Sequence, residues 1–264
     1  MYEIEKLRSK LNEGKLLIGS NSLLADPAVS ELLAMAGSDY IWIDMEHAAI
    51  DYKDVEHHII GAHSGGAAAI VRVPWNDSVM TKKILDMGPD GILFPLVRSA
   101  AEVREAMEAC AYPPNGIRGW NPLRAAKYGV VDGRWYRDHA DELLFRMIML
   151  EHIDAYNDLD EILKVPGLDG IMIGPSDLSA SMGKLLETND ADVQAILDDI
   201  VLRCNKAGMP VGVALGCGVG ENVYRPWLKR GIQMISIGQD MNLLVQAMQM
   251  NLKQLEQAQN SLAE

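Results

Sequence analysis

Apolar positions in this chain fall into eight short, nearly unbroken runs: LLIGS at 16–20, YIWIDME at 40–46, AAIVRVP at 68–74, GILFPLV at 91–97, FRMIMLE at 145–151, DGIMIG at 169–174, PVGVAL at 210–215 and QMISIG at 233–238. Runs of this length without alternation are the pattern of strands buried on both faces in a parallel sheet. Between them the spacing of apolar residues predicts helices over 28–37, 51–63, 77–87, 99–111, 157–164, 190–207 and 221–229, and a last one over 241–259. Asp26-Pro27 and Asn76-Asp77-Ser78 read as helix starts, and Gly88, Gly208 and Gly231 stand where helices should stop. Eight strands alternating with eight helices predict an α/β protein, a (β/α)8 TIM barrel that spans 1–264 as one domain and carries an extra C-terminal helix. A doubly wound sheet is the rival, and it would usually stop at fewer strands.

Four of the runs end in a polar side chain: IWIDMEH at 41–47, AIVRVPW at 69–75, RMIMLEH at 146–152 and GIMIGPSDLS at 170–179. A parallel barrel builds its site at the C-terminal mouth of its strands. Glu151 and Asp177 lie one strand–helix unit apart. Neighbouring strands are separated by ~4.8 Å, so these carboxylates can converge on one ion. Two carboxylates, with water and substrate completing the shell, suit Mg2+ first and Mn2+ or Co2+ as alternatives. The competing reading is that each carboxylate only caps the next helix.

Gly174-Pro175-Ser176-Asp177 forms a turn where a ligand can approach the backbone and a carboxylate can meet helix-start amides, or else an ordinary strand–helix turn. Arg72 has a planar fork suited to a carboxylate or an enolate oxygen; its alternative is an internal salt bridge. Asp44, Glu46 and His47 cluster at one strand end, and His47 oriented by Asp44 forms a candidate acid–base pair. Gly216-Cys217-Gly218-Val219-Gly220 imitates a dinucleotide loop, but its third glycine comes one position early. An anion-binding loop after the seventh strand is the simpler role.

One segment breaks the rhythm. Residues 112–136 carry three prolines, four glycines and two tryptophans without helical or strand period. Long irregular loops in compact domains are often functional, and Arg118, Trp120, Arg124 and Tyr128 predict an active-site lid there.

The formal net charge of −13 argues against nucleic-acid and anionic-membrane partners, which need a basic face. Cys110, Cys204 and Cys217 form no CxxC pair, so neither a disulfide framework nor a zinc site is expected. The N-terminal MYEIEKLRSKLNEG is charged and helical in pattern, unlike a signal peptide, and no apolar run approaches ~20 residues, so a cytoplasmic protein is expected.

At IDMEH (43–47), VRVPWND (71–77), YPPNGIRG (112–119) and IGPSDLSASMG (173–183) the chain resembles the HpcH/HpaI aldolases, the metal-dependent class II pyruvate aldolases that include macrophomate synthase. The resemblance covers about 16–245 and implies a barrel of the phosphoenolpyruvate/pyruvate class. It implies Glu151 and Asp177 as metal ligands, and Arg72 as the pyruvate-binding arginine. It further implies His47 with Asp44 as the acid–base pair, and a Ser176 amide meeting the pyruvate carboxylate, with Gly174 and Pro175 shaping that turn. It also implies a homohexamer, a trimer of dimers, with the helix at 241–259 exchanged between subunits. The family's fifth strand usually reads Gln-x-Glu-Thr where this chain has Met149-Leu150-Glu151-His152. The implied activity is reversible cleavage of a 4-hydroxy-2-oxo acid into pyruvate and an aldehyde through a metal-stabilised enolate. The alternatives are a sister lyase or decarboxylase acting on a related 2-oxo acid or acyl-CoA, and a non-catalytic binder of small 2-oxo acids.

Overall fold

The computed structural model describes residues 2–263. Eight parallel strands close into a barrel in sequence order: β1 (Leu17–Ser22), β2 (Tyr40–Asp44), β3 (Ala68–Arg72), β4 (Gly91–Phe94), β5 (Phe145–Leu150), β6 (Gly170–Ile173), β7 (Val211–Ala214) and β8 (Met234–Gln239). All eight predicted strands are present, so the barrel expectation holds.

Strand side chains alternate between two apolar compartments. Ile41 and Ile43 of β2, Val71 of β3 and Ile148 and Leu150 of β5 face outward into the layer between strands and helices. Tyr40 and Trp42 of β2, Ile70 of β3, and Phe145, Met147 and Met149 of β5 fill the barrel interior. The bulk of these rings is matched by missing side chains opposite. A Cβ at Gly19 would lie 2.1 Å from the Tyr40 ring, and one at Gly212 would lie 2.6 Å from both Met172 Sδ and Met234 Cβ. The same two-residue period carries Asp44, Arg72 and Glu151 to the tops of the inward columns, so the packing pattern itself aims them at the mouth.

Helix α1 (Glu3–Asn12) closes the opposite end. Its Ile4 and Leu7 are buried against the interior cluster, and the Ile4 amide donates to Asp90 Oδ1 at 3.1 Å. The outer ring consists of α2 (Ala28–Met35), α3 (Tyr52–Gly65), α4 (Ser78–Asp86), α5 (Ala100–Cys110), α6 (Gly133–His139), α7 (Ile153–Asn157), α8 (Leu159–Ile162), α9 (Pro175–Ser181), α10 (Ala191–Ala207), α11 (Glu221–Arg230) and the long α12 (Asp240–Ala263). Gly208 and Gly231 end α10 and α11 in the left-handed conformation, as their positions suggested.

The segment 112–136 corrects the lid expectation. It contains a 3-10 stretch (Leu123–Gly129) and the start of α6, so it is not structureless. It connects α5 to β5, a helix-to-strand link, and such links lie at the N-terminal face of a barrel. Arg124 donates to the Met87 and Gly88 carbonyls at 2.9 and 3.4 Å and meets His63 Nδ1 at 3.2 Å. The Tyr2 hydroxyl donates to the Ala125 carbonyl at 3.3 Å. These contacts pin the segment beside α1, at the end away from its own barrel's mouth. Its richness in aromatic and basic residues serves that packing: Trp120 stacks in a tilted arrangement on Tyr112 and Tyr136.

Among the described residues no helix is long and apolar enough to cross a membrane.

Candidate active site

The mouth holds a cavity of about 780 Å³ lined at its inner end by Trp42, His47, Arg72, Met149, Glu151 and Asp177. Of the expected strand-end residues, His47, Arg72, Glu151 and Asp177 line it, and Asp44 and Glu46 do not. Asp44 lies just behind the wall, wholly buried.

Glu151 follows β5 and is 2 % exposed. Its Oε1 accepts the Leu96 amide at 2.7 Å. Leu96 presents that amide from a left-handed conformation (φ 54°), a strained arrangement for a non-glycine residue and one that aims the donor. Its Oε2 accepts no hydrogen bond from the described protein groups and lies over Gly174, where a Cβ would be only 2.7 Å away. Burial pushes the Glu151 carboxyl up to about 7; the Leu96 amide and Arg72 pull it down, while Glu46 and Asp177 push it further up.

Gly174 is the N-cap of α9 and Pro175 its first helical residue. Asp177 stands in the first turn with its side chain in no cap hydrogen bond, so the helix-cap alternative for it is not realised. A buried carboxylate with one free oxygen and a second, unengaged carboxylate one strand away is a donor set that fits a hard divalent cation. Among the described residues no group of three or more His, Cys, Asp or Glu side chains converges for a metal, so water and substrate oxygens must complete any shell.

Arg72 is both a cavity wall and an internal salt bridge. The β2–β3 register sets Asp44 directly beside it. Its Nε donates to Asp44 Oδ1 at 3.1 Å, its Nη2 donates to Asp44 Oδ2, and its Nη1 lies 2.7 Å from Glu46 Oε2. Nη2 keeps one hydrogen for a ligand, and Nη1 pairs with Glu46 by charge without an aligned hydrogen bond. The guanidinium also stacks over Trp42, 5.0 Å from the ring centroid.

The contact expected between Asp44 and the His47 ring is not made. Asp44 Oδ1 accepts the backbone amides of Glu46 and His47 at 2.9 and 3.2 Å, so it fixes the turn that carries His47 and not its ring. The group facing the imidazole is Glu46, with Oε2 3.7 Å from His47 Nε2. Burial raises the Glu46 carboxyl above its ordinary value; Arg72 opposes this, and Asp44 and Asp177 reinforce it. Glu46 stood in the IDMEH motif without a partner, and only the side-chain packing shows that it faces both His47 and Arg72.

The outer part of the cavity was not anticipated. It runs between α10 and α11, past Thr188, Asn222 and Trp227 to Arg230. Cys217 in the glycine-rich loop lines its rim, where its sulfur accepts from Asn242 Nδ2 at 2.6 Å.

Residues 18–247 match the HpcH/HpaI aldolase/citrate lyase family. A hydroxypyruvate/pyruvate aldolase of Roseovarius nubinhibens is 34% identical over 93% of this chain and 94% of its own length. A 2-dehydro-3,6-dideoxy-6-sulfogluconate aldolase of Pseudomonas putida is 33% identical over 86% of this chain and 88% of its own. The solved structure of an HpcH/HpaI aldolase from Desulfitobacterium hafniense superposes with a TM-score of 0.86 at 28% identity, covering 95% of this chain and 96% of that one. With the closed parallel barrel and the acids at its mouth, these likenesses establish that the chain belongs to the HpcH/HpaI aldolase/citrate lyase family.

Proposed function

We propose that this chain is a divalent-metal-dependent aldolase that reversibly cleaves a 4-hydroxy-2-oxo acid into pyruvate and an aldehyde. Its enzyme class follows from its family: it is an aldolase, a carbon–carbon lyase. The observation that carries the metal reading is Glu151, a buried carboxylate with one oxygen held and the other open above Gly174, beside the unengaged Asp177. These two residues would hold the cation, with Mg2+ the best match to an all-oxygen donor set and Mn2+ or Co2+ the alternatives. When bound, the ion supplies positive charge that holds the 2-oxo acid and lowers the energy of the enolate left by cleavage.

The chain's own residues do the rest. The Ser176 amide, in the first turn of α9, meets the substrate carboxylate. Arg72, held rigid by Asp44 and paired with Glu46, turns its free N–H groups to the developing enolate oxygen. His47 takes the proton of the 4-hydroxyl group as the bond to the aldehyde breaks. Glu46 steadies the imidazolium that forms. His47 then gives up that proton, which the enolate carbon takes, directly or through water, to complete pyruvate. In the reverse direction His47 returns a proton to the new 4-hydroxyl oxygen. Trp42 and Met149 provide an apolar floor that keeps water from the enolate.

The protein acts on a small 2-oxo acid, and we read it as a homo-oligomer, a hexamer built as a trimer of dimers. Support comes from α12, which leaves Leu244, Met248, Met250, Leu252 and Leu255 exposed beyond its packing on β8 and β1. An exchanged α12 would cover that surface. Three unpaired cysteines suit the reducing cytoplasm.

A panel of 4-hydroxy-2-oxo acids incubated with and without chelator tests the reading. Pyruvate release that stops with chelator and returns with Mg2+ or Mn2+ is expected. Release that is indifferent to chelator would sink the metal site, and no release from any member of the panel would leave only a binder.

A further inference from the structure

Pyruvate chemistry occupies the inner end of the mouth and leaves most of the cavity unused. At about 780 Å³ it lies in the range of pockets that enclose drug-sized ligands. The remainder is an arm directed outward between α10 and α11, and its far end is built around one guanidinium.

Arg230, in the last turn of α11, has a side chain only 12% exposed. Its Nε donates to Asp198 Oδ1 at 2.5 Å, and its Nη2 donates to Gln194 Oε1 at 2.6 Å. Gln194 is locked in turn, its Nε2 donating to the Thr188 carbonyl at 2.6 Å. The guanidinium lies over Trp227, 4.6 Å from the ring centroid. Two nitrogens and one face are thus fixed. The third nitrogen, Nη1, donates to no protein group among the described residues; Arg230 lines this cavity and also a shallow outer groove with Leu202, Asn205 and Lys229.

The charges lining the cavity point the same way. Its carboxylates, Glu151 and Asp177, stand together at the inner end. Its other guanidinium, Arg72, stands at that same inner end, paired with Asp44 and Glu46. Asp198, which pairs with Arg230, is 64% exposed on the solvent side, so its charge is screened. The cavity therefore has acids at one end and a preorganised cation with an open donor at the other.

We propose that this arm receives the aldehyde half of the substrate and that Arg230 reads an anionic group, carboxylate or phosphate, at its far end. The inference rests on the aldolase reading above. A guanidinium held on two sides keeps one direction open, which favours an aldehyde whose length brings its terminal charge to Nη1.

Condensation with pyruvate provides the test. Succinic semialdehyde is compared with butanal, and glyceraldehyde 3-phosphate with glyceraldehyde, in the wild type and in Arg230→Gln and Arg230→Lys. Arg230→Gln should raise KM for the charged aldehydes and lower the charged-to-neutral ratio of kcat/KM by at least ~10-fold, as expected for a lost charge-assisted hydrogen bond. Arg230→Lys should restore part of the ratio. The pair whose ratio falls further identifies the natural anion as carboxylate or phosphate.

A folded Arg230→Gln with unaltered ratios in both pairs would overturn the proposal. Arg230 also ties α10 to α11, so a second variant guards against misfolding. Asn222→Asp, at an exposed position on the arm's wall, should lower the same ratios, and unchanged ratios there would equally overturn it. Metal-dependent exchange of the pyruvate methyl protons by the wild type separates the two readings. Without that exchange the aldolase reading fails; with exchange and unmoved ratios, only the arm fails.

Discussion

Gly174→Ala isolates the geometry on which the metal site depends. The backbone at Gly174 has φ −106°, a value any residue adopts, so the change introduces no backbone strain. What it introduces is contact. The new methyl would lie 2.7 Å from Glu151 Oε2, 2.9 Å from Glu151 Cβ and 3.0 Å from Met149 Cε. The oxygen is the end of a side chain and can swing, but the Cβ cannot move without shifting the end of β5. Glu151 must therefore tilt away from Asp177, and its hydrogen bond to the Leu96 amide must stretch. Overpacking of this kind costs about 1–3 kcal/mol of stability. Displacing a ligand's support typically costs roughly 10–100-fold in metal affinity. Titration calorimetry with Mn2+ and initial rates of pyruvate release should both show the loss, with circular dichroism reporting an intact barrel. Gly119→Ala is the matched control, since its methyl would meet only Lys82 Cδ at 3.3 Å. If Gly174→Ala binds metal and turns over like the wild type, the apposition of Glu151 and Gly174 does not make the site.

The metal-free protein should lose stability as pH rises. Glu151 moves from an ordinary 4.5 up to about 7, so in that window the folded chain keeps a proton that the unfolded chain has released. The full shift corresponds to about 3 kcal/mol, lost between roughly pH 4.5 and 7 and constant above. Melting in chelator at pH 5 and 7.5 should show a slope that Glu151→Gln reduces, and equal slopes would refute the assignment. Glu46→Gln should lower kcat for cleavage at least ~10-fold and shift its pH profile, whereas an unmoved profile would return His47 to acting alone. Asp44→Asn should act chiefly on stability, by about 3–5 kcal/mol in a thermal or urea melt, because it strips the partner of a buried guanidinium. Arg124→Ala removes two backbone carbonyl contacts and the His63 contact at the closed end of the barrel, and should lower the melting temperature by several degrees. An unchanged melt would mean that the segment is not anchored there.

The barrel was legible because a strand buried on both faces leaves an unmistakable local record, and all eight runs became strands at or within a few residues of their expected limits. The strand-end residues were legible for the same reason: a polar residue closing an apolar run has only the mouth to occupy. Which partner each residue takes was not legible. Asp44 and His47 are neighbours in sequence, but Asp44 and Arg72 are neighbours in the sheet, and the register between β2 and β3 decides. Arg230 was hidden differently, since a cation in the last turn of a helix is commonplace and nothing local distinguishes one that reaches a cavity. The placement of 112–136, by contrast, could have been read. Its composition suggested a lid, yet its order in the chain, after a helix and before a strand, puts it at the closed end of its own barrel. Composition describes what a loop can touch. In a parallel barrel the direction of the connection decides which end it reaches, and where the two disagree the direction prevails because every strand points the same way.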